Sequence, residues 1–533
     1  MAPLEPNATA RSNTLPLALF SGQTLLVAGL TTHVLYTVYR AARTLPPSSS
    51  TRAQEPARRG HVALFSTLAF LSLAAVTTFS VAWRVISYFD WAEKGTHDTP
   101  EGLWTGWYGT GEEGVGRWRL GDWASDVDLF READSVALST PEGYLYTTQH
   151  FAATTIAAIF FGVEGRRRNI LNRIVSSFVL LSATGSLGYA LNLFFVLMLY
   201  TPVAIHSDAT RRKDALFTAK APVYYVPVIV TFVLTHWFPT IFLAGADIMS
   251  LRFGYLTVPL FIAFAPQFVP ASWGHEHLSK AAAHRSYVNA FWVLGLTALL
   301  LNWKQVATSF FVNTPPRQPY VYELFKNAIG KKDQTNRFYT GLANSIHQLR
   351  LVSTHPVIGV LGSDVFFTGI SLITWAIHRN LDINDVLENS VLSIFSSNTH
   401  PEKHVAFNKE VDSVEPEPVP EASPAKKRGR PRKNGTLTNG PTTSASSAGS
   451  LRRSTRRKTK TDYESDAESS YEPPRETAKQ VEQVEAEGAP TGEDLVQGGE
   501  VTALSIFLSA VGGLGPLAAS ILGGEVTGTS TST

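Results

Sequence analysis

From residue 15 to residue 378 the apolar residues come in long runs, separated by polar or charged turns. A helix rises about 1.5 Å per residue, so about 20 mostly apolar residues cross a hydrocarbon core about 30 Å thick. Seven runs meet that requirement: 15–39, 61–86, 145–163, 174–202, 221–245, 286–312 and 355–377. Residues 174 to 205 contain no Asp, Glu, Lys or Arg, a composition at odds with a soluble core. An eighth run, 253–270, is short and holds Pro259, Pro266 and Pro270, so it reads either as a crossing or as a broken, re-entrant segment. The predicted fold class is all-α, a polytopic transmembrane helical bundle of 7–8 spans with a disordered C-terminal tail.

The pattern divides the chain into parts. Residues 1–14 are a short N-terminal segment, and 15–378 are the helical body, with a Trp- and Gly-rich extramembrane loop at 90–147. An amphipathic extension (379–397), a charged tail (398–500) and an apolar, Gly-rich segment (501–533) follow, and 501–523 could supply a further helix. Within the tail, Lys426 to Lys460 carry twelve Lys or Arg and no acid, whereas Asp462 to Glu500 carry twelve acids and two bases. Blocks of this kind bury nothing and predict disorder. The net charge of +2 is a cancellation between them and identifies no partner.

Basic loops orient a membrane protein, because Lys and Arg favour the cytoplasmic side. Five arginines lie in 40–60, four in 164–173, and six basic residues in 313–354; with eight spans these loops share one side. The N-terminus, with the sequon Asn7-Ala8-Thr9, then faces out, as does the 90–147 loop with its twelve acids and four bases. Eight spans also put the basic tail outside; seven return it to the cytoplasm but export the 313–354 loop. There is no cysteine, which excludes disulfides, thiolate metal sites and cysteine nucleophiles. No cofactor or metal is predicted.

Three places carry candidate chemistry. Five tryptophans between 91 and 123, with Arg119, Asp126 and Asp128, suggest either an aromatic-lined mouth for a polar ligand or a small lid held by ion pairs and Trp packing. In the first reading Trp104, Trp118, Arg119, Asp126 and Asp128 bind the ligand. Asp364 is the only Asp, Glu, Lys or Arg in the 28 residues from Leu351 to His378. An ionisable group at membrane depth is costly, so it reads either as a general acid or as a hydrogen bond between helices. Asp247 is a second candidate acid, on the same predicted helix as His236; His150, Asn192 and Asn302 each read most simply as interhelical glue. Glu164-Gly165-Arg166-Arg167-Arg168 reads as a charged stop, and Trp273-Gly274-His275-Glu276-His277 lacks the i, i+4 histidine spacing of a metal helix.

Two resemblances add to this. Lys426-Lys427-Arg428-Gly429-Arg430-Pro431-Arg432-Lys433 resembles an AT-hook, whose core lies in the minor groove of A·T-rich DNA. The resemblance implies DNA contact through Arg428, Gly429, Arg430 and Pro431; a nuclear-localisation-like patch and attraction of a polybasic segment to anionic lipid are the alternatives. Gly116-Arg117-Trp118-Arg119 through Asp126-Val127-Asp128, the Glu164-to-Arg168 turn and the His355-Pro356…Asp364…Trp375 helix look like a group of multi-pass membrane proteins of filamentous fungi. Some of that group are similar to membrane-integral terpene cyclases of meroterpenoid pathways. This likeness implies an isoprenoid or lipid substrate and intramembrane acids that start a cyclisation, with Asp364 and Asp247 as the candidates. The AT-hook-like stretch is no part of that pattern. Three functions stay open: a membrane enzyme, a nuclear-envelope tether with a DNA-binding tail, and a transporter, in a bilayer of the endoplasmic reticulum or nuclear envelope.

Overall fold

The computed structural model describes residues 14–43, 55–95, 120–201, 217–244, 249–277, 280–316, 333–379, 381–395 and 492–528. These are helical apart from turns and one two-stranded ribbon, β1 (Phe217–Ala219) against β2 (Gly274–Glu276), antiparallel with Thr218 opposite His275. Four helical stretches are long and apolar enough to cross a membrane: Arg58–Lys94, Pro222–Leu243, Ala283–Asn313 and Pro356–His378. They leave Phe70, Val233, Trp237, Leu300 and Phe366 more than half exposed. Apolar side chains spread over the surface in this way suit hydrocarbon as the surrounding solvent.

The bundle has two recognisable ends. One carries Arg166, Arg167, Arg168 and Arg379 and is here the arginine end; the other carries two short helices, α3 (Leu120–Asp126) and α4 (Leu129–Ser139), and is the lid end. Helix α1 (Thr14–Arg43) runs towards the arginine end, with Gln23 bonded to the Thr184 carbonyl at 3.2 Å and His33 to Ser177 at 2.9 Å. Helix α2 (Glu55–Lys94) runs the other way, from His61 beside His378 to Ser87, which donates to Glu132 of the lid at 2.6 Å. Helix α5 (Pro141–Arg167) returns through the centre and is buried almost all round. Its Thr147-Thr148-Gln149-His150 stretch lowers its apolar character; Gln149 and His150 bond neighbouring helices, and Thr147 and Thr148 donate back to the Gly143 and Leu145 carbonyls of α5 itself.

The run 174–202, expected as one span, is two helices. Helix α6 (Asn172–Thr184) and helix α7 (Leu187–Tyr200) divide at Gly185–Ser186. Ser186 has extended backbone, φ −148° and ψ 131°, and its hydroxyl accepts from Tyr189 N–H, a strong N-cap that starts a new helix. The two helices then fold back on each other. Val175 packs on Gly165, and Arg168 donates to the Met198 carbonyl at 3.2 Å, so the hairpin begins and ends at the arginine end.

Helix α8 (Pro222–Leu243) leads towards the lid end, where Tyr144 donates to the Thr235 carbonyl. The proline-bearing run at 253–270 forms helix α9 (Met249–Phe268), continuous through Pro259 and Pro266. It extends from Tyr255 beside His150 to Gln267 beside Asn172 at 2.9 Å. After the short α10 (Lys280–Arg285), helix α11 (Val288–Asn313) runs to the lid end, where Ser309 and Asn313 both donate to Glu142. Helix α12 (Asp333–Ser353) lies across that end, with Asn344 on the Asn313 carbonyl. Helix α13 (Pro356–His378) returns to the arginine end and is followed by the small α14 (Ile383–Glu388).

The apolar segment near the C-terminus belongs to the body. Helix α15 (Gly492–Gly512) and helix α16 (Leu514–Thr527) both pack on α14 and meet at Gly513, whose φ of +76° is a left-handed turn that glycine adopts freely. They form a second hairpin from the arginine end. Helix α16 is the most enclosed element: every residue but Glu525 is buried, against α5, α11 and α13. Helix α15 instead buries one stripe, Val501, Ser505, Leu508 and Gly512, and exposes Ile506 and Phe507.

Candidate functional site

Asp364 is the point at which the body's polar groups converge. Its carboxylate is 3 % exposed, and a carboxylate with no partner at that depth is prohibitively costly. The chain break at Gly185–Ser186 supplies the partners. Oδ1 accepts from the Ser186 hydroxyl at 2.7 Å and from Gly188 N–H at 2.9 Å; Oδ2 accepts from Leu187 N–H at 2.7 Å and from His150 Nε2 at 2.8 Å. The first N–H groups of a helix have no intrahelical acceptor, and the helix dipole favours negative charge there. Helix α7 thus begins where an anion is needed, halfway along the bundle. Ser72 of α2 closes the shell through the Ser186 hydroxyl at 2.8 Å; since Ser186 gives its proton to Asp364, Ser72 is the donor. Gly188 makes this approach possible, because a Cβ there would lie 2.7 Å from Ser72 Oγ and 3.3 Å from Asp364 Oδ1.

His150 continues the line. Its Nδ1 bonds the Tyr255 hydroxyl of α9, with the two rings nearly parallel at 6° and centroids 6.1 Å apart. Main-chain N–H groups already occupy both Asp364 oxygens as acceptors, so His150 Nε2 is a donor, and in a neutral ring Nδ1 accepts from Tyr255. Asp364, His150 and Tyr255 form one hydrogen-bonded row across α13, α5 and α9. Phe151 packs on Tyr255 with ring centroids 4.9 Å apart, and Phe232 on Phe151 at 6.1 Å, which gives the Tyr255 end an aromatic wall. Further along α7 and α13, Asn192 donates to the Ser371 hydroxyl at 2.7 Å.

The second hairpin reaches the same level of α5. Gln149, adjacent to His150, donates to Asn302 Oδ1 at 3.0 Å, and its Oε1 receives Leu514 N–H at 3.4 Å. Gly513 lies against it: a Cβ would stand 3.0 Å from the Gln149 amide carbon. Two interrupted helices therefore start at one level, α7 on Asp364 of α13 and α16 on Gln149 of α5, the neighbour of the His150 that Asp364 bonds.

At the arginine end, Glu164 is a buried clamp rather than a charged stop, 3 % exposed and paired with Arg167 at 2.7 Å and Arg168 at 3.2 Å. Arg167 also donates to the Val526 carbonyl at 2.8 Å, and Arg379 pairs with Glu525 at 3.0 Å. Trp375 Nε1 donates to the same Glu525 at 3.3 Å. These contacts fasten the C-terminal hairpin to α5 and α13. Arg379 is held above the ordinary guanidinium range by Glu525, against the opposing effect of its burial.

Of the lid candidates, Asp126 and Asp128 lie among the described residues. Asp128 caps α4 by accepting Arg131 N–H at 3.0 Å, and Asp126 accepts from Trp91 Nε1 at 3.3 Å. Trp123 is buried against Tyr88, with Trp91 beside them. Glu132, which sequence reasoning did not single out, joins this lid to α2 through Ser87 and Trp83. Neither Asp126 nor Asp128 bonds to a member of the Asp364 row. His236 is exposed and bonded to Lys304, and His277 bonds the Thr218 hydroxyl at 2.7 Å. Asp247, Trp104, Trp118, Arg119 and the AT-hook-like residues Arg428, Gly429, Arg430 and Pro431 lie outside the described residues. Among the described residues no cluster of three or more His, Cys, Asp or Glu has metal-site geometry.

Asp364 and His150 were both visible as polar residues in apolar runs, but nothing in the sequence paired them across 214 positions. Tyr255 was missed, because a tyrosine in an apolar run carries no signal of its own. No protein-family model matches this chain, and no curated protein or solved structure matches it either.

Proposed function

We propose that the chain is a membrane-embedded enzyme that performs acid–base chemistry on an isoprenoid or other lipid at the Asp364–His150–Tyr255 row. The observation that carries this reading is the continuity of the row, with the carboxylate fixed by a helix N-terminus at one end and a half-buried phenol at the other. Asp364 orients His150 and balances its charge when the imidazole holds a second proton, as a carboxylate does behind any catalytic histidine. With that second proton on Nδ1, the Tyr255 hydroxyl gives its own proton to a substrate group and takes the Nδ1 proton in return, which leaves His150 neutral. The Phe151 and Phe232 rings offer faces to a cationic intermediate. This replaces the idea of a protonated Asp364 acting directly on substrate, because both of its oxygens are occupied as acceptors.

In this reading seven helices cross the bilayer: α1, α2, α5, α8, α9, α11 and α13. The hairpins 172–200 and 492–527 enter and turn back. Positive residues favour the cytosol, so the arginine end faces it, and the lid end faces the lumen or exterior. For 426–433, A·T-rich DNA or anionic lipid is the candidate partner. The endoplasmic reticulum and the nuclear envelope both suit this arrangement. A proton-coupled transporter is the second reading, favoured by the two interrupted helices whose N-termini meet at one level, a construction that many transporters use for their sites.

The test is the lipid extract of cells expressing the wild type or Asp364→Asn at matched membrane levels. The enzyme reading expects at least one lipid product to be lost in the variant. Identical extracts from both, with the variant folded, overturn it, and altered uptake of a solute with unchanged lipids supports the transporter.

A further inference from the structure

The two halves of the bundle on either side of the His150 level are built differently. Towards the arginine end the interior is filled by α7 and α16. Leu187 to Met198 are all buried, as is all of α16 except Glu525. Their side chains are apolar over most of that length, and aromatic contacts such as Phe195 on Trp375, stacked at 4.1 Å, pack that half closely.

Towards the lid end the facing sides of α5 and α11 are polar. Asn302, Gln305, Ser309 and Asn313 follow one another at spacings of three, four and four residues, so they form a single stripe on α11. Glu142 and Gln149 lie seven residues apart on α5 and meet the two ends of that stripe. Ser309 and Asn313 donate to Glu142 at 2.6 and 2.7 Å, and Gln149 donates to Asn302 at 3.0 Å. Gln305 lies between these bonded groups, 4 % exposed, and its Nε2 has no protein partner. A buried amide without a partner costs about 1–3 kcal/mol, and buried waters commonly satisfy such groups.

We infer that this stripe, from Glu142 to Gln149, is a one-sided water and proton path, which opens at the lid end, holds water at Gln305 and ends at the Gln149–His150 level. The half beyond is the seal. The inference rests on the reading of the Asp364–His150–Tyr255 row as a proton site, since it gives that site its route to one face only. It assigns Glu142 as the mouth and Gln305 as a water-holding residue, both positioning residues rather than catalytic ones.

The chain has no cysteine, so single cysteines can be read without background. Ser309→Cys and Gln305→Cys, with Leu193→Cys and Ile521→Cys in the seal, are placed in sealed vesicles and treated with a small charged thiosulfonate from each face in turn. The expected result is modification of Ser309→Cys and Gln305→Cys from the lid face at least tenfold faster than from the arginine face, with the seal positions unmodified. Ser309→Cys is close to isosteric and keeps the test valid if Gln305→Cys does not fold. Protection of both stripe positions from both faces, or faster reaction from the arginine face, overturns the path. The outcome does not depend on lipid products, so failure of the path and failure of the enzyme reading are separate results.

Discussion

At the residue scale, the account depends on how one carboxylate is accommodated. Breaking a buried, hydrogen-bonded charge network leaves its remaining members unpaired and costs about 3–5 kcal/mol. Gly188 tests the packing without touching a charge. An added methyl would contact Ser72 Oγ, Thr368 Oγ1 and Asp364 Oδ1 at 2.7, 3.1 and 3.3 Å, and Ser72 and Asp364 are held there by their bonds to Ser186. Gly188→Ala is expected to cost about 1–3 kcal/mol, as overpacking does, and to lower the midpoint of thermal unfolding in detergent. A midpoint equal to the wild type would mean that the α7 N-terminus is not seated on Asp364. Asp364 was legible in the sequence because a single charge in 28 apolar residues stands out. Its solution was not, because the donors come from backbone N–H groups, which every residue has and no sequence displays.

At the scale of elements, the most instructive difference lies in 174–202. Apolar length predicts that a segment is in the membrane, but it does not predict direction. A hairpin of two short helices and one long crossing have the same hydropathy, and only the Gly185–Ser186 pair hints at the turn. The proline-rich run 253–270 misleads in the opposite sense: Pro259 and Pro266 look like breaks, yet α9 continues through both. Helix α13 offers a test of capping. His355 accepts Val357 N–H at 3.2 Å through Nδ1, so the cap requires the neutral ring. Burial holds its pKa below the ordinary value, although Glu132 and Asp90 pull the other way. The folded state therefore prefers neutral His355, while the unfolded chain takes up a proton near pH 6.5. Stability from this group is present above that pH and is lost as the pH falls through it. His355→Asn keeps an acceptor that does not titrate, and it is expected to flatten the decline in thermal midpoint between about pH 7 and 5. An unchanged slope would assign the decline to other groups.

At the scale of the whole molecule, the body does not end where the charged stretch of the sequence begins. Helix α16 is buried among α5, α11 and α13 and is clamped by Arg167, Arg379 and Asn389, so it is core. Removing everything after residue 395 is expected to leave protein that aggregates on detergent extraction. Excising 396–491 and joining the flanks should preserve a monodisperse species by size-exclusion chromatography. The reverse ranking of the two variants would show that the hairpin is dispensable. Both hairpins, and helices α5, α9, α11 and α13, meet at the level of His150. Its tautomer therefore reports whether the assembly exists as a unit. The decisive measurement is the ¹⁵N spectrum of histidine-labelled protein in bilayers at neutral pH, with the His150 signal identified by its loss in His150→Gln. A neutral ring with its proton on Nε2, whose Nδ1 shift moves in Tyr255→Phe, is the predicted result. A proton on Nδ1, or a spectrum that does not respond to Tyr255→Phe, would contradict the account.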